Sequence, residues 1–312
     1  MLGQGLLCTL GVEIDNRSRA VHMGAYQRIV LFNRPQERIM SAEPDHLVNL
    51  PRYPLLDPAG SELASVVESA RRCLDEEALC VLPEFLMPAA IRQFREEIEA
   101  LLPRAIPQEN QRTAYGWMNN DEFTPPHPRA IRHHSRNQTI TLDLLPKDGG
   151  MRILFFWQAL TDFVRRCLGL QKLYCSACPY LALIAKVFDQ GDNLPWHYDT
   201  NDGVVSLLLQ APDEGGHFEY VPYLRSESDE CYEDVDKVFS GHSDRVRRPL
   251  MQPGSLVLFK GRRSIHQVSQ VGATTKPRLI LLFSYDREPG MVFPEATVQA
   301  VIDPRVRVHQ GI

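Results

Sequence analysis

The chain has 312 residues, of which 44% are hydrophobic and 23% charged, with a formal net charge of −5 and a pI near 6.1. These values describe an ordinary globular protein, long enough for one decorated domain or two small ones. They exclude a global basic field for nucleic acid or an anionic membrane, and no apolar run reaches the roughly 18–20 residues that span a bilayer. Seven cysteines, an odd and scattered set, argue against a disulfide framework and for a reducing, cytoplasmic setting. The opening Met1–Leu7 is briefly apolar but lacks a basic n-region and a cleavage site, so it reads as a short strand or a leader without order. Cys175-x-x-Cys178 has no second pair to complete a zinc site and reads as small residues in a buried strand.

Residues 1–50 show no strong periodicity and read as an N-terminal extension. The remainder, 51–312, reads as one domain: helical support and site loops over 51–170, a β-rich core over 171–290, and a C-terminal segment over 291–312. From Gly60 to Leu74, apolar residues at 63, 66, 67, 70 and 74 recur at helical spacing. Ala78–Leu82 reads as a short strand, and Met87–Leu102 as a second amphipathic helix with Ile91, Phe94, Ile98 and Leu101 on one side. Residues 103–150 are rich in proline and read as loops, with a polar and aromatic cluster from Tyr115 to Arg136. Met151–Leu170 reads as one apolar helix. Beyond it, Leu181–Phe188, Val204–Gln210, Phe218–Val221, Ser255–Phe259 and Leu279–Tyr285 are short β-rich runs between Gly, Pro, Asp and Asn turns. The fold expected is α+β: a double-stranded β-helix (jelly roll, cupin-like) core behind an N-terminal helical layer. The polar stretch Ser226–Arg248 reads as an insertion or lid loop.

Two imidazoles and one carboxylate can hold one face of an octahedral Fe(II) and leave three positions open. H-x-D at a strand end suits this, because residues i and i+2 point to the same side. The motif alone says little, since it occurs twice here, as His197-Tyr198-Asp199 and His242-Ser243-Asp244, beside one H-x-E, His217-Phe218-Glu219. Context separates them. His242 lies in a charged stretch with nothing strand-like beside it. His217 opens a strand only 49 positions before His266, and the polar insertion consumes half of that gap. His197 stands between two strands, and the 69 positions to His266 leave room for several turns of a double-stranded helix. His197, Asp199 and His266 are therefore the expected metal ligands and catalytic centre. Arg278, twelve positions after His266 at the head of an apolar strand, is the expected cation for the distal carboxylate of a 2-oxoglutarate cosubstrate.

At these residues the sequence resembles the iron(II)/2-oxoglutarate dioxygenase superfamily. The strands carrying Trp196-His197-Tyr198-Asp199 and Gly215-Gly216-His217-Phe218-Glu219-Tyr220-Val221-Pro222 are similar to those of the subgroup acting on free amino acids, which includes halogenases and hydroxylases. The resemblance implies a jelly-roll core, Fe(II), 2-oxoglutarate and dioxygen, and it assigns His217 and Glu219 to a structural strand. One departure matters: halogenases of this subgroup carry a small residue where Asp199 stands, opening a site for chloride. Hydroxylation, desaturation or oxidative cyclisation is expected instead, on a small molecule that is a free amino acid or a derivative.

Substrate contacts must come from outside the triad. The residues expected to supply them are Arg129, Arg132, Trp117 and Asn120 in the polar loop region, with Asp202 and Glu219 for a substrate amine. Two other classes of function use the same ligands: a cupin-like protein that holds a metal without turnover, and a zinc hydrolase. The first is discriminated by 2-oxoglutarate-dependent succinate release, the second by its need for a general base beside the metal.

Overall fold

The computed structural model describes residues 44–116, 118–200 and 204–303. The reading of residues 1–50 as an extension therefore lies almost wholly outside the described residues, and all described residues belong to the unit Ala42–Ile312.

Helix α1 (Ser61–Glu77) buries Leu63, Val67, Ala70 and Leu74, the i, i+4, i+7, i+11 stripe of a single face. It ends where Ala78 enters the left-handed region (φ 59°) and returns its N–H to Leu74. Strand β1 (Leu79–Leu82) follows, and then α2 (Pro88–Leu101), with proline at its first position and Ala90, Phe94, Ile98 and Leu101 buried. The apolar run after residue 150 is a pair of helices, α3 (Gly150–Phe155) and α4 (Gln158–Cys167). The extended Trp157 between them redirects the chain, so Leu154 and Phe155 and then Leu160, Phe163 and Val164 all reach one core. No breaker residue marks that joint, which is why the pattern reads as one helix.

A correction falls on residues 103–150. They contain β2 (Ile106–Arg112) and β3 (His133–Thr141), an antiparallel pair at the edge of the main sheet. Gln108, Asn110 and Arg112 on β2 face Ser135, Asn137 and His133 on β3 across the same side. Strands whose inner face is polar lack the apolar alternation by which strands are recognised.

The rest is β-rich, as expected: β4 (Tyr174–Cys175), β5 (Leu183–Phe188), β6 (Leu194–His197), β7 (Val204–Gln210), β8 (Phe218–Val221), β9 (Leu256–Phe259), β10 (Ile265–Val268), β11 (Arg278–Phe283) and β12 (Tyr285–Asp286), with α5 (Tyr232–Phe239) and α6 (Glu295–Ile302). A seven-stranded sheet runs β1-β9-β7-β11-β5-β3-β2, a three-stranded sheet runs β6-β10-β8, and β12 pairs with β4. All pairings are antiparallel. This is the jelly-roll core behind a helical layer.

Each central strand is buried on both sides, so it reads as a continuous apolar run. On β11, Leu279, Leu281 and Phe283 join the core beneath the helices, whereas Arg278, Ile280 and Leu282 point between the two sheets. The same alternation places Leu183, Ala185 and Val187 of β5 outside, and Lys186 and Phe188 inside. The Ser226–Arg248 insertion is not an open loop. Its helix α5 seats Val235 and Val238 against Tyr115, Tyr198, Val221 and Ile265, on the outer side of the small sheet.

Candidate active site

Strand alternation sets His197 and Asp199 on the inner side and Tyr198 on the outer. Across the small sheet, His197 pairs in register with His266. The ring centroids of the two histidines are 4.1 Å apart. Asp199 Oδ1 stands 3.5 Å from His266 Nε2 and 4.0 Å from His197 Nε2, and one ligand atom from each of the three residues lies within 4.8 Å of the others. Each imidazole turns Nε2 inward because Nδ1 is occupied by a backbone carbonyl, Pro195 O at 2.8 Å and Ser264 O at 3.0 Å. Such a bond fixes tautomer and ring orientation for a metal. Burial, then the neighbouring His266 and Arg112, holds His197 well below the ordinary histidine range, so the ring is a neutral donor. Asp199 Oδ2 is buried without a hydrogen-bond partner. Two oriented imidazoles with the carboxylate oxygen Oδ1 beside them fit an Fe(II) ion, which accepts mixed nitrogen and oxygen donors.

The Asp199 carboxylate fits only because residue 261 is glycine. A Cβ there would stand 1.9 Å from Asp199 Oδ2, and Gly261 O accepts the Asp199 N–H at 3.1 Å.

The triad opens into a cavity of about 90 Å³ lined by Lys186, Phe188, Leu194, Ser206, Phe218, Phe259, Ile280 and Arg278 among others. Arg278 is 2% exposed, its guanidinium lies over the Phe188 ring at 5.6 Å, and Nη1 has no partner. Burial pushes it down to about 10, yet it stays charged at neutral pH. A buried, unpartnered guanidinium fits the free carboxylate of 2-oxoglutarate. The cavity contains no carboxylate besides Asp199 among the described residues.

The residues expected to bind substrate lie apart from this cavity. Arg129 donates to Asn120 Oδ1 at 2.9 Å and to the Asn119 carbonyl, and lies 4.3 Å above Phe123. Asn120 in turn donates to Tyr115 O and Met118 O. These two and the exposed Arg132 line a second cavity, of about 230 Å³, together with Thr113. Glu219 faces the outer side of the small sheet, where Arg248 (Nε at 3.0 Å) and Gln267 (Nε2 at 2.7 Å) donate to it. Trp117 and Asp202 lie outside the described residues. Cys175 and Cys178 are free thiols.

Sequence reasoning passed over Gly261, Arg112 and Lys186. Lys186 carried a signal, a lone charge inside the apolar run Leu183–Phe188. Its ammonium donates to Asn137 Oδ1 and Thr139 Oγ1, both at 2.8 Å.

Fold, donor set and buried guanidinium together define an Fe(II)- and 2-oxoglutarate-dependent oxygenase. The chain belongs to the Halogenase D family, whose model matches residues 63–296. Among solved structures it is similar to AviO1 from Streptomyces viridochromogenes Tue57, with 16% identity and a TM-score of 0.51 over 73% of this chain and 97% of that one. It is also similar to a 2OG-Fe(II) oxygenase family oxidoreductase from Burkholderia pseudomallei (16%, TM-score 0.47, 72% and 92%). A third similar structure is a prolyl-4-hydroxylase from Pseudomonas putida (15%, TM-score 0.44, 70% and 97%). At 16% identity the likeness to AviO1 shows the shared fold alone. No curated protein matches the sequence. No helix among the described residues is long and apolar enough to cross a membrane.

Burial pushes Lys186 from the ordinary 10.5 down to about 7, with Arg112 adding to the effect. Between these values the unfolded chain holds a proton that the folded chain has released, so stability should rise with pH across that window. Lys186→Met is expected to flatten the rise, measured by urea unfolding at about pH 7.5 and 9.5. An equally steep rise in the variant would contradict it.

Proposed function

We propose that this enzyme oxidises an unactivated C–H bond of a small molecule, a free amino acid or a derivative, with hydroxylation as the outcome. The observation that carries this reading is Asp199, seated beside both imidazoles with Gly261 making room for it. Halogenases of the resembling subgroup leave that place to a small residue and a chloride; here a carboxylate fills it. Desaturation and oxidative cyclisation draw on the same site and differ in the substrate. The free thiols suit a cytoplasmic setting.

In this reading His197, Asp199 and His266 hold Fe(II), and Arg278 grips the distal carboxylate of 2-oxoglutarate. When bound, iron and cosubstrate together with dioxygen supply the oxidising power for the C–H bond. The protein's own part is placement and exclusion of water. Phe218 and Phe259 pack 5.7 and 4.8 Å from the His266 ring and wall the metal face. Lys186 offers an N–H to an oxygen in the cavity.

Anaerobic titration of the full chain with Fe(II) and 2-oxoglutarate should develop the weak visible charge-transfer band of the chelate, and succinate should form once oxygen is admitted. His197→Ala and Asp199→Ala should abolish both, and full succinate release by either variant would refute the triad. Arg278→Ala should raise the half-saturating 2-oxoglutarate concentration by at least about tenfold, the loss typical of a charge-assisted pair. An unchanged requirement would move the anchor elsewhere.

Gly261 gives an independent check on the carboxylate. Gly261→Ala should lower the thermal midpoint of the metal-free chain by several degrees and cost nothing in an Asp199→Gly background, where the carboxylate beside it is gone. Equal losses in both backgrounds would place the effect in the turn and not at Asp199.

A further inference from the structure

Arg112 closes β2 at the point where the chain comes alongside the triad. Two residues on, Ala114 O accepts the Tyr198 N–H at 3.1 Å, tying the β2 exit to the His197–Asp199 segment. Arg112 pairs in register with His133, on the inner side of the sheet that also presents Ser135, Asn137 and Thr139. Its Nε is buried without a hydrogen-bond partner, and it forms no ion pair among the described residues. His133 Nε2 beside it is likewise buried and unpartnered. Along the same side of β3, Asn137 and Thr139 accept from Lys186 of the inner cavity, so the row that ends at Arg112 and His133 faces the space between the sheets.

A guanidinium nitrogen shut from water with no acceptor and no counter-ion is costly, and a ligand oxygen would relieve that cost. Counting formal charge in the loaded site, Fe(II), Arg278 and Arg112 exceed Asp199 and the two carboxylates of 2-oxoglutarate by one, before Lys186 is counted. The cosubstrate cannot cancel that excess, because its anchor Arg278 stands at the Gln210 end of β7 whereas Asp199 lies toward the Val204 end, where β9 turns into Gly261. One more anion is needed on the Asp199 side.

The geometry points to Arg112, flanked by His133, as the subsite for a carboxylate of the substrate. This rests on the oxygenase reading and gives it a substrate class: an acid, held by its carboxylate while a carbon beyond it faces the metal. Arg129 and Arg132 are then not the carboxylate anchor. Arg129 already spends its Nε and Nη2 donors on Asn120 and Asn119, and Arg132 is exposed.

The test uses the full chain saturated with Mn(II) and 2-oxoglutarate, probed with straight-chain C2 to C6 monocarboxylates and their carboxamides. Thermal midpoint and calorimetry are the readouts. Carboxylates should bind and raise the midpoint, and the neutral carboxamides should not. Arg112→Gln should weaken carboxylate binding by at least about tenfold, and Arg112→Lys should retain part of it. Without ligands, Arg112→Gln should melt at or above the wild-type midpoint, because an unpaired buried cation has been removed. Three results would each overturn the subsite: no preference for carboxylate over carboxamide, equal carboxylate binding in Arg112→Gln, or a ligand-free midpoint well below wild type. The Fe(II)–2-oxoglutarate band is read in the same samples. Its absence from the wild type would sink the oxygenase reading, whereas its presence with carboxylate indifference sinks only the Arg112 subsite.

Discussion

Everything at the centre of this molecule follows from gathering charge between two apolar sheets. Arg278, Arg112 and Lys186 lose most of their hydration there, and Asp199 is the one carboxylate of the inner cavity among the described residues. Water would otherwise stabilise each of these groups by several kcal/mol. The fold withholds it by covering the main sheet with helices on one side and the small sheet on the other. The remaining compensation must arrive with ligands. The emptier the site is of counter-charge, the more of its binding energy is reserved for anionic ligands such as a dicarboxylate.

How far this was legible in the sequence differs between elements for physical reasons. Helices α1 and α2 announce themselves because one face is buried and the other wet. The central strands announce themselves because both faces are buried, which leaves runs such as Leu279–Phe283. The H-x-D pair was readable from strand context, and His266 from the buried strand before it. β2 and β3 were not readable, since their inner face is built from Gln, Asn, Ser, His and Arg, the vocabulary of loops. The same blindness hid Arg112, whose importance comes from the absence of a partner, a property of three dimensions only. Gly261 was equally silent: a glycine after a strand is ordinary until a carboxylate is found where its side chain would be.

The family relationship and the local chemistry meet at one residue. Membership in the Halogenase D family covers residues 63–296, yet a family describes a scaffold, and reaction type is decided in the site. Asp199 and Gly261 form a matched pair in which bulk on one side requires its absence on the other. A chain of this family that lost the carboxylate would gain room at both positions.

Tyr198 lies between the two inward-facing residues of the motif and points the opposite way. Its ring meets Tyr115 at 5.3 Å, lies beneath the Arg225 guanidinium at 4.1 Å, and shares its apolar cluster with α5. The segment that must present His197 and Asp199 is therefore clamped from behind by an aromatic wedge. The ordering cost of the ligands is met during folding, before any metal arrives. A seat held in this way would keep its shape without iron, and metal exchange would then be a matter of affinity and not of refolding.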